Sequence, residues 1–136
     1  TPIHDEKRTG QNRRRTYIVI EATKNRRPHY IFEAKRLNSK KRHTEKNYIE
    51  KGLKRFVEGE YAAPYPEAAM VGYVQTADID SWKKEVQLAI TSKASQLKLI
   101  TQQNQESAKV FEGEWISKHM RRENTITVCH IMLNCK

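Results

Sequence analysis

Glu33 and Lys35 are the residues whose types and spacing point most directly to chemistry. They lie in the run His29 to Leu37, whose alternation predicts a β-strand with Ile31, Glu33 and Lys35 on one face. Because the two charges close an otherwise apolar run, we expect them where the strand leaves the core. A carboxylate there could hold a divalent cation, and the ammonium beside it could polarise a water or a phosphate oxygen. The same pair is also typical of an ordinary surface ion pair, which contributes about 0–1 kcal/mol.

The chain before this strand predicts the other half of a hairpin. Residues 16–22 are rich in β-branched side chains, and the polar stretch 23–28, which ends in proline, is typical of a turn. A turn centred between Asn25 and Arg26 would place Glu33 opposite Ile18.

The rest of the chain has the apolar spacing of further helices and strands. A helix capped by Thr44 is expected to reach Val57, and the small apolar run 68–75 is expected to form a buried strand roughly parallel to the Glu33 strand. Gly52 inside that helix indicates a close approach to another backbone. The longest helix should start within residues 78–81, where Asp80 or Ser81 can cap it, and should end in the polar residues 102–105. Asp78 and Asp80 resemble metal ligands, but a helix cap is the favoured use of both. A closing hairpin is predicted at 114–121 and 125–133.

Ser117, His119 and Arg121 share one face of the first strand of that closing hairpin. A Ser-His pair occurs in hydrolases, but no third group or nucleophile elbow accompanies this one, and alternating polar residues are typical of a solvated sheet face. We therefore predict that these side chains face solvent or DNA. His130 lies in an apolar strand, which favours a core histidine with its hydrogen bonds satisfied.

Length, charge and cysteines limit the class of protein. A chain of 136 residues predicts one domain over residues 1–136, and a net charge of +10 favours nucleic acid, ahead of an anionic membrane, as partner. No apolar run approaches 18 residues, so no membrane partner is expected. Cys129 and Cys135 would lie about 20 Å apart on one strand, which indicates reduced thiols and a cytoplasmic location. The start at Thr1, with no helix before the first strand, is consistent with a fragment.

The order of hairpin, Glu-Ala-Lys and helix resembles the core of the PD-(D/E)XK nuclease superfamily. The strings at 32–37 (Phe-Glu-Ala-Lys-Arg-Leu), 52–56 (Gly-Leu-Lys-Arg-Phe) and 70–74 (Met-Val-Gly-Tyr-Val) are similar to an uncharacterised bacterial branch of it. The resemblance covers roughly residues 16–75. It implies an α/β (α+β) fold of the restriction-endonuclease type, with a mixed central β-sheet and flanking helices.

The resemblance also implies metal-dependent hydrolysis of DNA phosphodiesters, in a restriction or phage-defence role. Mg²⁺ or Mn²⁺ would be held by Glu33, by the backbone carbonyl of Ala34 and by a second acidic residue. Lys35 would position and polarise the attacking water. Enzymes of this kind often act as dimers, so a homodimer is consistent with the resemblance.

The second acidic residue is where this chain departs from the superfamily. The aspartate expected near the start of the first hairpin strand is replaced by Thr16 and Tyr17. Asp5, reached through a long loop, is the first candidate for the missing metal ligand, and Glu21 is the second. The alternative is that the chain has lost catalysis and is a nucleic-acid-binding module of the same fold.

Basic residues concentrate around the expected site and could contact a phosphate backbone. Residues 1–15 read as a loop or arm that is basic at its end, and the hairpin turn and the loop after the Glu33 strand are also basic. The same charges are typical of a solvated surface. The candidate nucleic-acid contacts are Arg13, Arg14, Arg15, Arg26, Arg27, Lys40, Lys41, Arg42, Lys54 and Arg55.

Overall fold

The protein is a six-stranded mixed sheet with helices packed against it, which confirms the predicted class. The computed structural model describes residues 18–20, 30–62, 65–104 and 112–136. The strands are β1 (Ile18–Ile20), β2 (Tyr30–Leu37), β3 (Glu67–Val74), β4 (Leu99–Asn104), β5 (Gly113–Met120) and β6 (Thr125–Asn134). The helical segments are a 3₁₀ turn (Ser39–Lys41), α1 (Glu45–Tyr48), a π turn (Ile49–Leu53), α2 (Lys54–Val57) and α3 (Ile79–Ser92).

The sheet has the order β1-β2-β3-β6-β5-β4. Its centre is parallel, because β3 runs parallel to both β2 and β6, whereas β1, β5 and β4 pair in antiparallel fashion. Both predicted hairpins are present. In the first, Ile18 lies opposite Phe32 rather than Glu33, so the predicted register was wrong by one residue. Alternation predicts which face a residue takes, but the turn sets the register.

The connection from β2 to β3 is one helical stretch, from Glu45 to Val57, interrupted by the π turn. Thr44 occupies the N-cap position, as predicted, although its side chain makes no capping hydrogen bond. Gly52 lies in the π turn. A β-carbon there would come within 2.5 Å of Met70 Cε, so the close approach is to a side chain and not to a backbone.

The segment after β3 differs most from its prediction. Neither Asp80 nor Ser81 caps α3, but the capping role favoured for Asp78 is confirmed, because the Asp78 carboxylate accepts a hydrogen bond from the Ser81 amide at 2.7 Å. The helix ends at Ser92 instead of in the polar residues 102–105. Lys98 takes a left-handed conformation with φ 48°, which a helix cannot include, and the polar residues that follow form β4.

The core lies between the sheet and its helices. Its largest fully buried side chains include Trp115, Tyr48, Phe56, Leu37, Ile49, Leu53 and Met70. The two cysteines are free thiols, as predicted. In the described part of the chain, no helix has the length and apolar character needed to cross a membrane.

Candidate active site

Glu33 and Lys35 form a buried ion pair on one face of β2. Lys35 Nζ lies 2.5 Å from Glu33 Oε1, and the two residues are only 8% and 2% exposed. The predicted placement at the exit from the core was wrong, because Leu37 continues the same face and is fully buried. The helix between β2 and β3 covers this face, so the pair is not the solvated surface pair that its spacing also allowed.

The second carboxylate oxygen of Glu33 has no hydrogen-bond partner within the described ranges. A buried polar atom without a partner is costly, typically by about 1–3 kcal/mol, and more for a charged group. Such an atom therefore marks a place where a cation, a water or another donor can bind. This orphaned oxygen is the strongest chemical feature of the structure.

The π turn lies directly against the pair. A β-carbon on Gly52 would stand 3.4 Å from Lys35 Cε and 3.3 Å from Met70 Sδ. Met70 is the residue of β3 that pairs with Glu33. A side chain at position 52 would thus push on the side chains of Met70 and Lys35. π turns inside α-helices occur frequently at functional sites.

Arg55 is a second cation whose pKa is affected by the charge of Glu33. Burial by itself lowers the pKa of Arg55, but its hydrogen bond to Tyr61 and the charges of Glu60 and Glu33 raise the pKa above its ordinary value. The guanidinium donates to the Tyr61 hydroxyl at 2.8 Å and lies 3.8 Å from a Glu60 carboxylate oxygen. These two contacts engage the Arg55 guanidinium, so a phosphate would have to compete with Tyr61 and Glu60 for it.

Lys54, another predicted nucleic-acid contact, is similarly engaged. Its ammonium lies 3.4 Å from Glu50 and 3.7 Å from Glu58. A phosphate would have to compete with two carboxylates for Lys54.

Lys40, Lys41 and Arg42 are exposed at the carboxyl end of β2. The loop is ordered by its own polar contacts, since the Asn38 side chain accepts from the Lys40 amide at 3.1 Å and Ser39 bonds Thr76 beyond β3. The structure therefore presents three cations together at the edge where the parallel strands β2 and β3 both end.

Several predicted site residues lie outside the described residues. These are Asp5, Arg13, Arg14, Arg15, Arg26 and Arg27, together with Glu21, the second candidate acid. Ala34 is exposed on the opposite face of β2 from Glu33. Among the described residues, no group of three or more His, Cys, Asp or Glu side chains is arranged to hold a metal.

A buried polar chain crosses the same side of the sheet, and sequence reasoning did not find it. Tyr48 Oη lies 2.7 Å from His130 Nδ1, and His130 Nε2 lies 2.7 Å from Ser117 Oγ. Ser117 Oγ then lies 2.8 Å from His119 Nε2, and His119 Nδ1 lies 2.8 Å from the Leu97 carbonyl. The predicted hydrogen-bonded core histidine at 130 is confirmed, but its partners come from distant parts of the chain.

Burial lowers the pKa of both histidines and favours neutral imidazoles, and with neutral rings the carbonyl at the end of this chain fixes the direction of every bond. Because the Leu97 oxygen can only accept, His119 donates through Nδ1 and accepts from the Ser117 hydroxyl through Nε2. Ser117 in turn accepts from His130 Nε2, and His130 Nδ1 accepts from the Tyr48 hydroxyl. All four side chains are uncharged in this arrangement.

The predicted solvated face of β5 was therefore wrong. Ser117 and His119 are fully buried and Arg121 is 7% exposed, because the helices cover this side of the sheet. The Arg121 guanidinium donates to the Ala62 carbonyl at 3.0 Å and to the Tyr65 carbonyl at 2.6 Å. It anchors the connection that precedes β3 and does not face DNA.

We expect acid to destabilise the fold through the two network histidines. Burial lowers the pKa of His130 well below its ordinary value, and the nearby His119 lowers it further. Burial also lowers the pKa of His119, against the opposing effect of its bond to Leu97. The unfolded chain then binds more protons below about pH 6.5, so the stability present above that pH is lost as the pH falls, by up to about 1.4 kcal/mol per pH unit for each histidine.

Urea unfolding at a series of pH values from neutral to mildly acidic measures this slope. His130→Gln should be less stable at neutral pH but should show a shallower dependence on pH. A wild-type profile that stays flat through this range would contradict the neutral network.

Comparison of the chain with protein-family models, with curated proteins and with solved structures gives no match in any of the three.

Proposed function

We propose that this protein is a metal-dependent nuclease that hydrolyses DNA phosphodiesters at Glu33 and Lys35. The observation that supports it most is the buried pair itself, in which one carboxylate oxygen contacts the lysine and the other has no partner in the described part of the chain. An ion pair serving only stability would use both oxygens, since a half-satisfied buried carboxylate is unfavourable.

The chemistry follows from the donor types. A hard cation such as Mg²⁺ or Mn²⁺ prefers carboxylate oxygens, and Glu33 Oε2 is the oxygen that would hold it. Such an ion would act as a Lewis acid on the phosphate and would lower the pKa of a bound water. Lys35 would orient the attacking water and stabilise the charge that develops on the phosphorus oxygens. Asp5 is our first candidate for the second carboxylate.

A nucleic-acid-binding module is the second candidate function. The observation that favours it is that the described residues around Glu33 include no further carboxylate arranged for metal binding. It shares the basic surface of the nuclease proposal and differs only in chemistry. Cleavage of duplex DNA in the presence of Mg²⁺ or Mn²⁺, by wild type and by Glu33→Gln, separates the two functions.

Both functions predict DNA binding that weakens steeply with salt and depends on the basic loop. Replacing Lys40 and Lys41 with Gln, and Arg42 with Asn, removes three exposed charges, and Asn tolerates the φ of 59° at position 42. If each cation neutralises one phosphate, the slope of log affinity against log salt should fall in magnitude by about 0.9 per contact. Titration of a labelled duplex at several salt concentrations measures the slope.

The matched control is a triple variant with the same loss of charge elsewhere. Lys98, Lys118 and Arg122 are exposed and lie just before β4, on β5 and in the turn after β5, whereas the loop follows β2 towards the opposite edge of the sheet. Their replacement with Gln should change the slope little. If the two triple variants behave alike, the basic loop is not the nucleic-acid contact.

A further inference from the structure

The side of the sheet opposite the helices carries a pattern of its own. The π turn packs over Lys35, and Ile79 of α3 lies against Gly113, which belongs to the same row of the sheet as Lys35. The described helices therefore lie on the side of Glu33 and Lys35. The other side, which we call the outer face, receives the alternate residues of each strand, and no described helix covers it.

Three neighbouring side chains lie on the outer face near the carboxyl ends of the parallel strands. Arg36 pairs with Tyr73, and Tyr73 pairs with Leu133, so the three lie side by side on strands about 4.8 Å apart. Tyr73 is 36% exposed and is the one aromatic residue among the exposed large hydrophobic residues of the described chain. Leu133 beside it is half-buried. We call this set the outer row (Arg36, Tyr73 and Leu133).

Arg36 supplies an unengaged cation to the outer row. Its guanidinium is exposed and makes no ion pair or hydrogen bond with any described residue, unlike the guanidinium of Arg55. The basic loop (residues 40–42) follows shortly after Arg36 in the chain. Burial lowers the pKa of His43, and the charges of Arg36 and Lys41 lower it further, so Arg36 and the basic loop contribute to one positive region.

We propose that the outer row binds an unpaired nucleotide of single-stranded DNA, with the base stacked on the Tyr73 ring and the phosphate held by Arg36. Stacking on an aromatic ring beside a cation is a general means of binding single strands, and it tolerates any base because every base has a π-face. Leu133 extends the apolar surface under the base. The basic loop continues the positive path for the adjoining phosphates.

The chemistry of the outer row favours a single strand over other occupants of an open sheet face. A base inside a duplex is already stacked on its neighbours, so only an unpaired base can lie on the Tyr73 ring. A protein partner would have to supply an acidic group for Arg36. The net charge of +10 instead favours a polyanion, which brings a negative charge with every nucleotide.

This inference deepens the proposed function and rests on it for the identity of the partner. Glu33 and Arg36 lie on opposite faces of the same strand, and the basic loop stands at the carboxyl end of that strand. A DNA with both paired and unpaired parts would meet the loop with its duplex backbone and the outer row with its single strand. The preferred substrate is then DNA that carries a single-stranded end, gap or branch.

Fluorescence anisotropy with a labelled oligothymidylate about 12 nucleotides long tests the proposal, and an abasic strand of the same length supplies the same phosphates without bases. Wild type should bind the oligothymidylate more tightly than the abasic strand. Tyr73→Leu should lower the affinity for oligothymidylate by about 5- to 100-fold, the loss typical of one stacked base, and should bind the abasic strand as wild type does. Tyr73→Phe keeps the ring and should keep the affinity.

Arg36→Gln should weaken the binding of both strands alike, because both carry the phosphates. The slope of log affinity against log salt should fall in magnitude by about 0.7 in this variant, the value for one phosphate contact on a single strand. Unchanged affinity of Tyr73→Leu for the abasic strand also shows that the variant is folded, and circular dichroism provides an independent check.

Two results would overturn the proposal: equal affinity of wild type for the two strands, or equal affinity of wild type and Tyr73→Leu for oligothymidylate. Cleavage of DNA is measured separately, so the two proposals can fail independently. Cleavage by wild type, together with normal binding of oligothymidylate by Tyr73→Leu, would remove this inference alone. A preference for bases that depends on Tyr73, without any cleavage by wild type, would remove the nuclease alone.

Discussion

Glu33→Gln is expected to lower the rate of Mg²⁺-dependent DNA cleavage by about 10²–10⁴-fold, the range typical for loss of a positioned acid–base or electrostatic group. The substitution keeps the shape of the side chain but removes the charge that would hold a cation at Oε2. Because Glu33 is buried away from the exposed basic loop, DNA affinity should change by less than a factor of a few. Conversion of supercoiled to nicked plasmid measures the rate, and fluorescence anisotropy measures the affinity.

Glu114→Gln is the matched control for this prediction. Glu114 is also a buried carboxylate on a strand, 8% exposed, and its oxygen lies 3.8 Å from Cys129 Sγ, away from Lys35. The Glu114→Gln variant should cleave DNA at the wild-type rate. Equal cleavage by wild type and Glu33→Gln would place the nuclease chemistry elsewhere. DNA binding without any cleavage by wild type would favour the binding module.

Lys35→Met should destabilise the fold by about 3–5 kcal/mol, the range found when one partner of a buried ion pair is removed. The methionine fills the volume of the lysine stem, so packing against Gly52 is largely kept and the main effect is electrostatic. Glu33 would be left as a buried charge without its ammonium. Urea unfolding at neutral pH, followed by circular dichroism, measures the loss.

The double variant Glu33→Leu/Lys35→Met tests whether the loss of stability in Lys35→Met comes from the unpaired charge of Glu33. With both charges gone, the face of β2 becomes apolar and most of the lost stability should return, because apolar replacements of a buried ion pair are often neutral or stabilising. Lys118→Met, at an exposed position on β5, controls for the loss of a lysine. A double variant as unstable as Lys35→Met would show that the pair is not an independent unit.

Alternation in the sequence was sufficient to predict the strand faces of the site. A period of two places Glu33 and Lys35 side by side whatever surrounds them. β3 was located by a different signal, the short apolar run at residues 68–75. Alternation says nothing of what covers a face. Burial of the pair comes from the helical stretch that follows β2, whereas burial of Ser117 and His119 comes from helices that are distant in sequence.

The hydrogen-bonded chain shows the same limit. Tyr48 and His130 are separated by 82 positions and meet only because β3 lies between β2 and β6. The predicted end of α3 was wrong for a local reason. Ala94, Leu97 and Ile100 continue a helical spacing, but α3 already ends at Ser92, and a turn leads from there to Lys98, whose left-handed backbone comes just before β4. Spacing alone could not distinguish a continued helix from a turn into an edge strand.

The π turn can be explained by the spacing of the buried residues along its helix. Tyr48 and Ile49, Gly52 and Leu53, and Phe56 and Val57 are buried pairs that recur every four residues. A regular α-helix advances 100° per residue, so a four-residue repeat would drift by about 40° around the axis at each step. The wider π turn unwinds the helix where the drift would accumulate and keeps all three pairs against the sheet. The π turn over Glu33 and Lys35 therefore follows from the four-residue period of the buried residues. A search for 3.6-residue periodicity does not detect that period.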